Sequence, residues 1–286
     1  MQSIGIIGVG RAGGSLALSL AARGHQITFL VDPVSPTLAV TAPVYPTLQE
    51  VVQPVDLLLA AVPDRMIAPL LQKLNQHSQL RQAIVLHLSG AANLTPFAGI
   101  EAPSFRGIGM LHPLFSFLES AMILPPGLLY GCNGDAAGLA ACRELVGLLR
   151  GKTVIIEQEQ AGLYHTLAVM MSNFPQALAL MADELAPATV ATPEAAELLR
   201  TGLRELMLQA VNKLPAADPA SELTGPARRG DVTSLRSHLE VLQLRDENLM
   251  DLYLHFSQFI LRRFATEIPV EAHQECLQLL EQYEKR

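Results

Sequence analysis

Hydrophobic residues recur with two different spacings along the 286-residue chain, and the change falls near Glu157. Before that point, short apolar runs alternate with helical patterns. Ile4, Ile6 and Ile7 form the first run; a glycine turn follows, and Ser15–Arg23 continues as a helix with Leu16 and Leu20 on one face. A strand-like segment, Gln26–Asp32, then ends on an acid. Asp56–Val62 and Ala83–Leu88 are continuous apolar runs, the form taken by parallel strands buried on both faces. Between them Ile67, Leu70, Leu71 and Leu74 stand at i, i+3, i+4 and i+7 and predict a helix over 65–76 with Asp64 as its N-cap. Thr47 and Glu50 fit a capping box at another helix start. Further strands are predicted near 107–111, 128–131 and 153–156, the last two separated by a helix over about 135–149. This alternation with short connections predicts a doubly wound parallel α/β sheet. After Glu157 the two-residue alternation fades, and helices are predicted over 158–186, 193–213, 232–246, 247–266 and 270–284.

The glycine turn sharpens this reading. Gly8-Val9-Gly10-Arg11-Ala12-Gly13 fits G-x-G-x-x-G between a strand and a helix. Gly8 permits the tight turn, Gly10 lets backbone approach a pyrophosphate, and Gly13 lets helix and sheet pack closely. The helix start, at Arg11 and Ala12, offers unpaired N–H groups to phosphate. Asp32 lies nineteen residues after Gly13, where a ribose-binding carboxylate is expected. Val62 and Pro63 after one strand, and Ser89 after the next, fall at the strand ends that border the ligand crevice of such folds. The expected cofactor is NAD(P), leaning to NAD, because a carboxylate pairs with a free 2′-hydroxyl and repels a 2′-phosphate. The fold class is therefore α/β: a dinucleotide-binding Rossmann domain over 1–157, then an all-α domain over 158–286.

Charge and composition narrow the partners. A net charge of −7, a pI near 5.6 and no basic run argue against nucleic acid. Cys132, Cys142 and Cys276 are odd in number and lack C-x-x-C spacing, so neither a disulfide framework nor a zinc site is expected. No apolar run is long enough to span a membrane, and the chain enters a strand almost at once, so a cytoplasmic protein is expected. Half of the residues are hydrophobic and only 16% charged, which suggests that some apolar surface lies in a subunit interface.

Two stretches could carry chemistry. The first long helix holds Tyr164-His165 and then Ser172-Asn173-Phe174-Pro175. At about 100° per residue, His165 and Ser172 lie roughly 20° apart and Asn173 roughly 80° from His165, so all three could border one pocket. A kink is expected at Pro175. His165 is a candidate acid–base group, or simply a surface or core histidine. The second stretch, Leu214–Asp231, carries Arg228 and Arg229, which could hold a carboxylate or phosphate. They could equally be solvated, with Asp231 only an N-cap for the helix that follows. His112 closes a strand, before Pro113. His87, inside an apolar run, reads as a core residue. No histidine or cysteine spacing suggests a metal site.

Several separated stretches together resemble one family: IGIIGVGRAGGSLA (4–17), AAVPDRMI (60–67), VLHLSGA (85–91), GMLHPLFSF (109–117), LYHTLAVMMSN (163–173) and LTGPARRGD (223–231). The chain resembles Rossmann-like proteins with the domain of unknown function DUF2520, relatives of the F420-dependent NADP reductase-like and 6-phosphogluconate dehydrogenase-like groups. The resemblance implies a helical C-terminal domain that often dimerises; it supplies no substrate. The combined expectation is an NAD(P)-dependent oxidoreductase working on a small, anionic substrate in an interdomain cleft, with His165, Asn173, Ser89 and His112 at the reaction and Arg228, Arg229 and Asp231 on the substrate. Two alternatives stand beside it: a non-enzymatic dinucleotide-binding sensor or assembly protein, and a prephenate-dehydrogenase-like enzyme, to which the resemblance is partial.

Overall fold

The computed structural model describes residues 3–34, 38–100, 104–118, 122–215, 218 and 220–284. Its sheet is built from β1 (Ile4–Ile7), β2 (Ile27–Val31), β3 (Val44–Tyr45), β4 (Leu57–Ala60), β5 (Ile84–His87), β6 (Gly107–Pro113), β7 (Leu129–Gly134) and β8 (Lys152–Ile155). These strands lie in the order β3-β2-β1-β4-β5-β6-β7-β8. The direction of winding reverses between β1 and β4, and a ligand crevice opens at such a reversal, outside the carboxyl ends of the strands.

The apolar runs are explained by burial on both faces. Ile4 and Ile6 of β1 and Leu57 and Leu59 of β4 pack with Leu16 and Leu20 of α1 (Arg11–Ala22) on one face. Ile7, Leu58 and Val85 pack with Ile67 and Leu71 of α2 (Asp64–Gln76) on the other. Burial of each such side chain contributes about 1.5–3 kcal/mol, so a strand with no exposed face reads as an unbroken apolar run. A short helix, α3 (Thr95–Ala98), follows β5, and α4 (Ala136–Leu148) joins β7 to β8.

Three local expectations are corrected. The sheet is not wholly parallel: β6 and β7 pair antiparallel, with His112 opposite Gly131. Parallel pairing needs a crossover, usually a helix, and the described residues between these strands form none. Asp64 is not the N-cap of α2. Pro63 holds that position with no side-chain capping bond, and Asp64 lies in the first turn. Thr47 and Glu50 do meet, Oγ1 to Oε1 at 2.9 Å, but the helix there is one 3-10 turn, Leu48–Glu50.

The helices after the sheet are α5 (Ala161–Leu185), α6 (Pro193–Asn212), α7 (Pro226–Arg229), α8 (Val232–Gln243), α9 (Glu247–Arg263) and α10 (Val270–Glu284). Strands cease before residue 157, while the chain divides into compact units within α5, between Leu180 and Met181. Pro175 does not end α5, which continues to Leu185. In the second unit Leu235 and Leu239 of α8, Leu254 and Leu261 of α9, and Leu279 and Leu280 of α10 make the core. Asp231 caps α8 through Ser234 N at 3.0 Å and Asp246 caps α9 through Leu249 N at 2.9 Å. Among the described residues no helix is long and apolar enough to cross a membrane.

Candidate functional site

The glycine turn forms a cradle at the carboxyl end of β1. Gly8 has φ +88°, and a Cβ there would strike the Ala61 carbonyl; a Cβ on Gly13 would strike the Gly8 carbonyl. Any side chain at either place would force the turn open. Gly10 faces open space, with nothing within 4 Å of where its Cβ would be. The first turn of α1 carries no acidic residue, and its leading N–H groups, from Arg11, Ala12 and Gly13, have no intrahelical acceptor. Asp32 closes the far side of the cradle. Its Oδ2 accepts from Val9 N at 2.6 Å and its Oδ1 from Val34 N at 2.9 Å, so the carboxylate is tied to the loop. Val62 borders Gly8 at 3.2 Å from the same Cβ position, and the Arg11 guanidinium reaches the Phe117 carbonyl at 3.3 Å. Backbone donors, open room at Gly10 and an oriented carboxylate together suit the pyrophosphate and ribose of a dinucleotide.

A second feature lies within the same compact unit. A cavity of about 500 Å³ is lined by 112–116 of β6 and the turn after it, and by α5 residues that include Tyr164, His165, Met171, Ser172 and Asn173. The strand end and one helix face thus bring together His112, His165 and Asn173 of the expected set. Ser89 is not among the lining residues. It follows β5, where its N–H donates to His87 Nδ1 at 3.2 Å and its Oγ accepts from Ala92 N at 3.0 Å. Its neighbour Gly90 touches the site: a Cβ there would lie 2.8 Å from His112 Nδ1.

His112 is held on several sides. Its Nδ1 lies 2.8 Å from the Tyr164 hydroxyl, with ring centroids 5.5 Å apart and planes at 89°. The His165 ring stands 5.7 Å away at 71°. Burial, helped by the neighbouring His165, lowers the His112 pKa to about 4, so the imidazole is neutral near pH 7. Burial also pushes Tyr164 up to about 12, so its hydroxyl keeps its proton. His165 Nδ1 is buried and has no hydrogen-bond partner among the described residues. Ser172 Oγ lies 2.8 Å from the Ala168 carbonyl and 2.6 Å from Asn173 Oδ1.

Beneath this site runs a polar network of which His87 was the only part visible in the sequence. His87 is fully buried and bonds the Asn93 carbonyl through Nε2, and burial lowers its pKa to about 4. Asn93, at φ 45°, bonds the Gln158 carbonyl at 3.0 Å and accepts from Asn133 at 2.8 Å. These bonds fix the turn that presents Ser89 and Gly90.

In the second unit, Arg228 pairs with Glu267 at 2.5 Å and lies 4.1 Å over the Phe264 ring. Arg229 is 61% exposed and stands 3.7 Å from Asp231, the cap of α8. Tyr164 is the residue to which sequence reasoning gave no role. The adjacency of Tyr164 to His165 was the one signal available, and the contact that matters, to His112, spans 52 positions.

A glycine cradle and an oriented carboxylate at the switch point, in the same compact unit as a histidine-lined cavity, define the class: this is a Rossmann-like, dinucleotide-binding type of fold. Residues 3–89 match the family described as NADP oxidoreductase coenzyme F420-dependent, and residues 128–260 match the domain of unknown function DUF2520. The chain is thus a Rossmann-like protein with a DUF2520 segment. Among solved structures it is similar to a Bacteroides fragilis protein provisionally named an NADP oxidoreductase, at 21% identity and a TM-score of 0.71, covering 91% of this chain and 97% of that one. A Thermotoga maritima protein is similar at 22% and 0.71, covering 92% and 99%. Prephenate dehydrogenase from Aquifex aeolicus is similar at 16% and 0.54, covering 91% and 98%. Identities this low speak for the fold alone. A search of curated proteins gave no match.

Proposed function

We propose that the chain is an NAD(P)-dependent oxidoreductase, with NAD preferred, acting on a small substrate held beside His112 and His165. The observation that carries this reading is the cavity where two imidazoles and a phenol meet, in the same compact unit as the glycine cradle. A bound nicotinamide supplies or accepts the hydride. The protein's own groups handle the proton and the geometry. His165, whose buried Nδ1 has no hydrogen-bond partner among the described residues, exchanges a proton with the substrate's hydroxyl or carbonyl oxygen, while Asn173, which lines the same cavity, orients that oxygen. Asp32 holds the adenine ribose and disfavours a 2′-phosphate.

The imidazoles, phenol and amide of the lining suit a small carbonyl, hydroxyl or imine group. We also propose a homodimer through the helical part. Leu198, Leu206 and Leu208 of α6 are each at least 60% exposed in the single chain, more apolar surface than one helix usually leaves to water; light scattering would test it. The activity is tested by NADH oxidation against a panel of keto acids, aldehydes, ketones and cyclic imines. Turnover of at least one class, lowered about 10²–10⁴-fold by His165→Ala, is expected. Tight NADH binding with no turnover, together with nucleotide-dependent association, would point instead to a redox sensor.

A further inference from the structure

The Tyr164 hydroxyl proton needs an acceptor. Among the described residues the one hydrogen-bond partner recorded for that oxygen is His112 Nδ1, at 2.8 Å. The other side of the phenol is closed by backbone: a Cβ on Gly131 would lie 2.5 Å from the hydroxyl oxygen. The imidazole nitrogen is therefore the acceptor for that proton. Leaving an O–H without an acceptor in such a place costs about 1–3 kcal/mol. Gly90 packs against the same Nδ1 side of the ring, 2.8 Å from Nδ1 by the same Cβ measure, so the imidazole has little freedom to turn over. Two glycines and a tyrosine therefore fix one ring nitrogen as an acceptor.

We propose that Tyr164 is a positioning residue that locks His112 in the Nε2–H tautomer, making His112 a neutral hydrogen-bond donor to the substrate oxygen while the proton transfer falls to His165. The inference rests on the oxidoreductase reading for the identity of the oxygen, but the tautomer itself does not. A neutral donor suits a carbonyl or imine whose heteroatom gains negative charge as hydride arrives, because the bond strengthens as that charge develops. Burial, with the neighbouring His165, lowers the His112 pKa to about 4 and so keeps the ring neutral near pH 7, and a hydrogen bond donated to its lone pair would favour the same form. The titratable groups facing it are His165 and Tyr164 from α5 and Asp64 from α2, and Asp64 acts in the opposite direction.

The full chain labelled with ¹⁵N-histidine, free of cofactor, tests this by long-range ¹H–¹⁵N correlation, with His112→Gln identifying the signal. A protonated Nε2 and an unprotonated Nδ1 at pH 7 are expected in the wild type. In Tyr164→Phe the tautomer should mix and the His112 pKa should rise, since the donor that stabilised the neutral ring is gone. An Nδ1–H signature in the wild type would overturn the proposal, and that reading stands even if the variant fails to fold. An unchanged tautomer and pKa in a folded Tyr164→Phe would overturn it too. Because no turnover is measured, failure here is separate from failure of the oxidoreductase assay.

Discussion

Replacing Asp32 with asparagine should change which dinucleotide the protein prefers while leaving the cradle in place. Asp32 does two jobs: it accepts from Val9 N at 2.6 Å and Val34 N at 2.9 Å, and it puts a negative charge where the adenine ribose would lie. Asparagine retains one carbonyl oxygen for Val9 and removes the charge. A 2′-phosphate about 5 Å from the carboxylate, at an effective dielectric of about 20, is opposed by about 3 kcal/mol per unit charge. Screening at this half-exposed place reduces that to about 1.5–3 kcal/mol, or about 10- to 100-fold in affinity. NADH would lose a charge-assisted bond in exchange for a neutral one, about 1 kcal/mol or about fivefold. The preference for NADH over NADPH should therefore fall by roughly 50- to 500-fold on these figures. Isothermal titration calorimetry is the suitable assay, since the chain has no tryptophan to report binding. A wild type that binds NADPH more tightly, or an Asp32→Asn variant whose preference is unchanged, would refute the reasoning.

Stability should fall on mild acidification. The folded His87 pKa, about 4, lies below the ordinary 6.5, so between those values the unfolded chain takes a proton that the folded chain refuses. Its contribution is complete above pH 6.5 and is lost as pH drops towards 4, by about 3 kcal/mol for this one buried ring; His112, less buried, adds a smaller share in the same window. Urea unfolding at pH 7.5 and 4.5 measures it, and equal stabilities would contradict the burial argument. Arg228→Ala should lower stability by about 1–2 kcal/mol through loss of the Glu267 pair and the Phe264 face. If it instead raised KM with the melting curve unmoved, Arg228 would be a substrate ligand after all.

Most of the architecture was legible because its signals are local. The turn from Gly8 to Gly13 and the acid at Asp32 sit within one strand–helix–strand unit, and the helices after Glu157 repeat their apolar positions every three or four residues. Direction of strand pairing was not legible. Nothing near β6 or β7 records that they run antiparallel, since this depends on a connection rather than on either strand. The site divides in the same way. His112 and His165 could be named from their elements, but their meeting joins a strand end to a helix 53 positions on. Tyr164 acquires its role only through that meeting, and the Asn93–Gln158 bond spans 65 positions. Arg228 carried a plausible anion-binding pattern, while Glu267, its partner, lies 39 residues away, beyond the reach of any motif.

The central claim is that the cradle holds a nicotinamide dinucleotide whose reactive ring serves the histidine-lined cavity. A crystal structure of the protein soaked with NADH tests it most directly. The account predicts the pyrophosphate on the N–H groups of Arg11, Ala12 and Gly13, the adenine ribose on Asp32, and the nicotinamide beyond Ser89 with its C4 towards His112. A dinucleotide bound in the cradle with its nicotinamide turned away from His112 and His165, or bound elsewhere altogether, would contradict it.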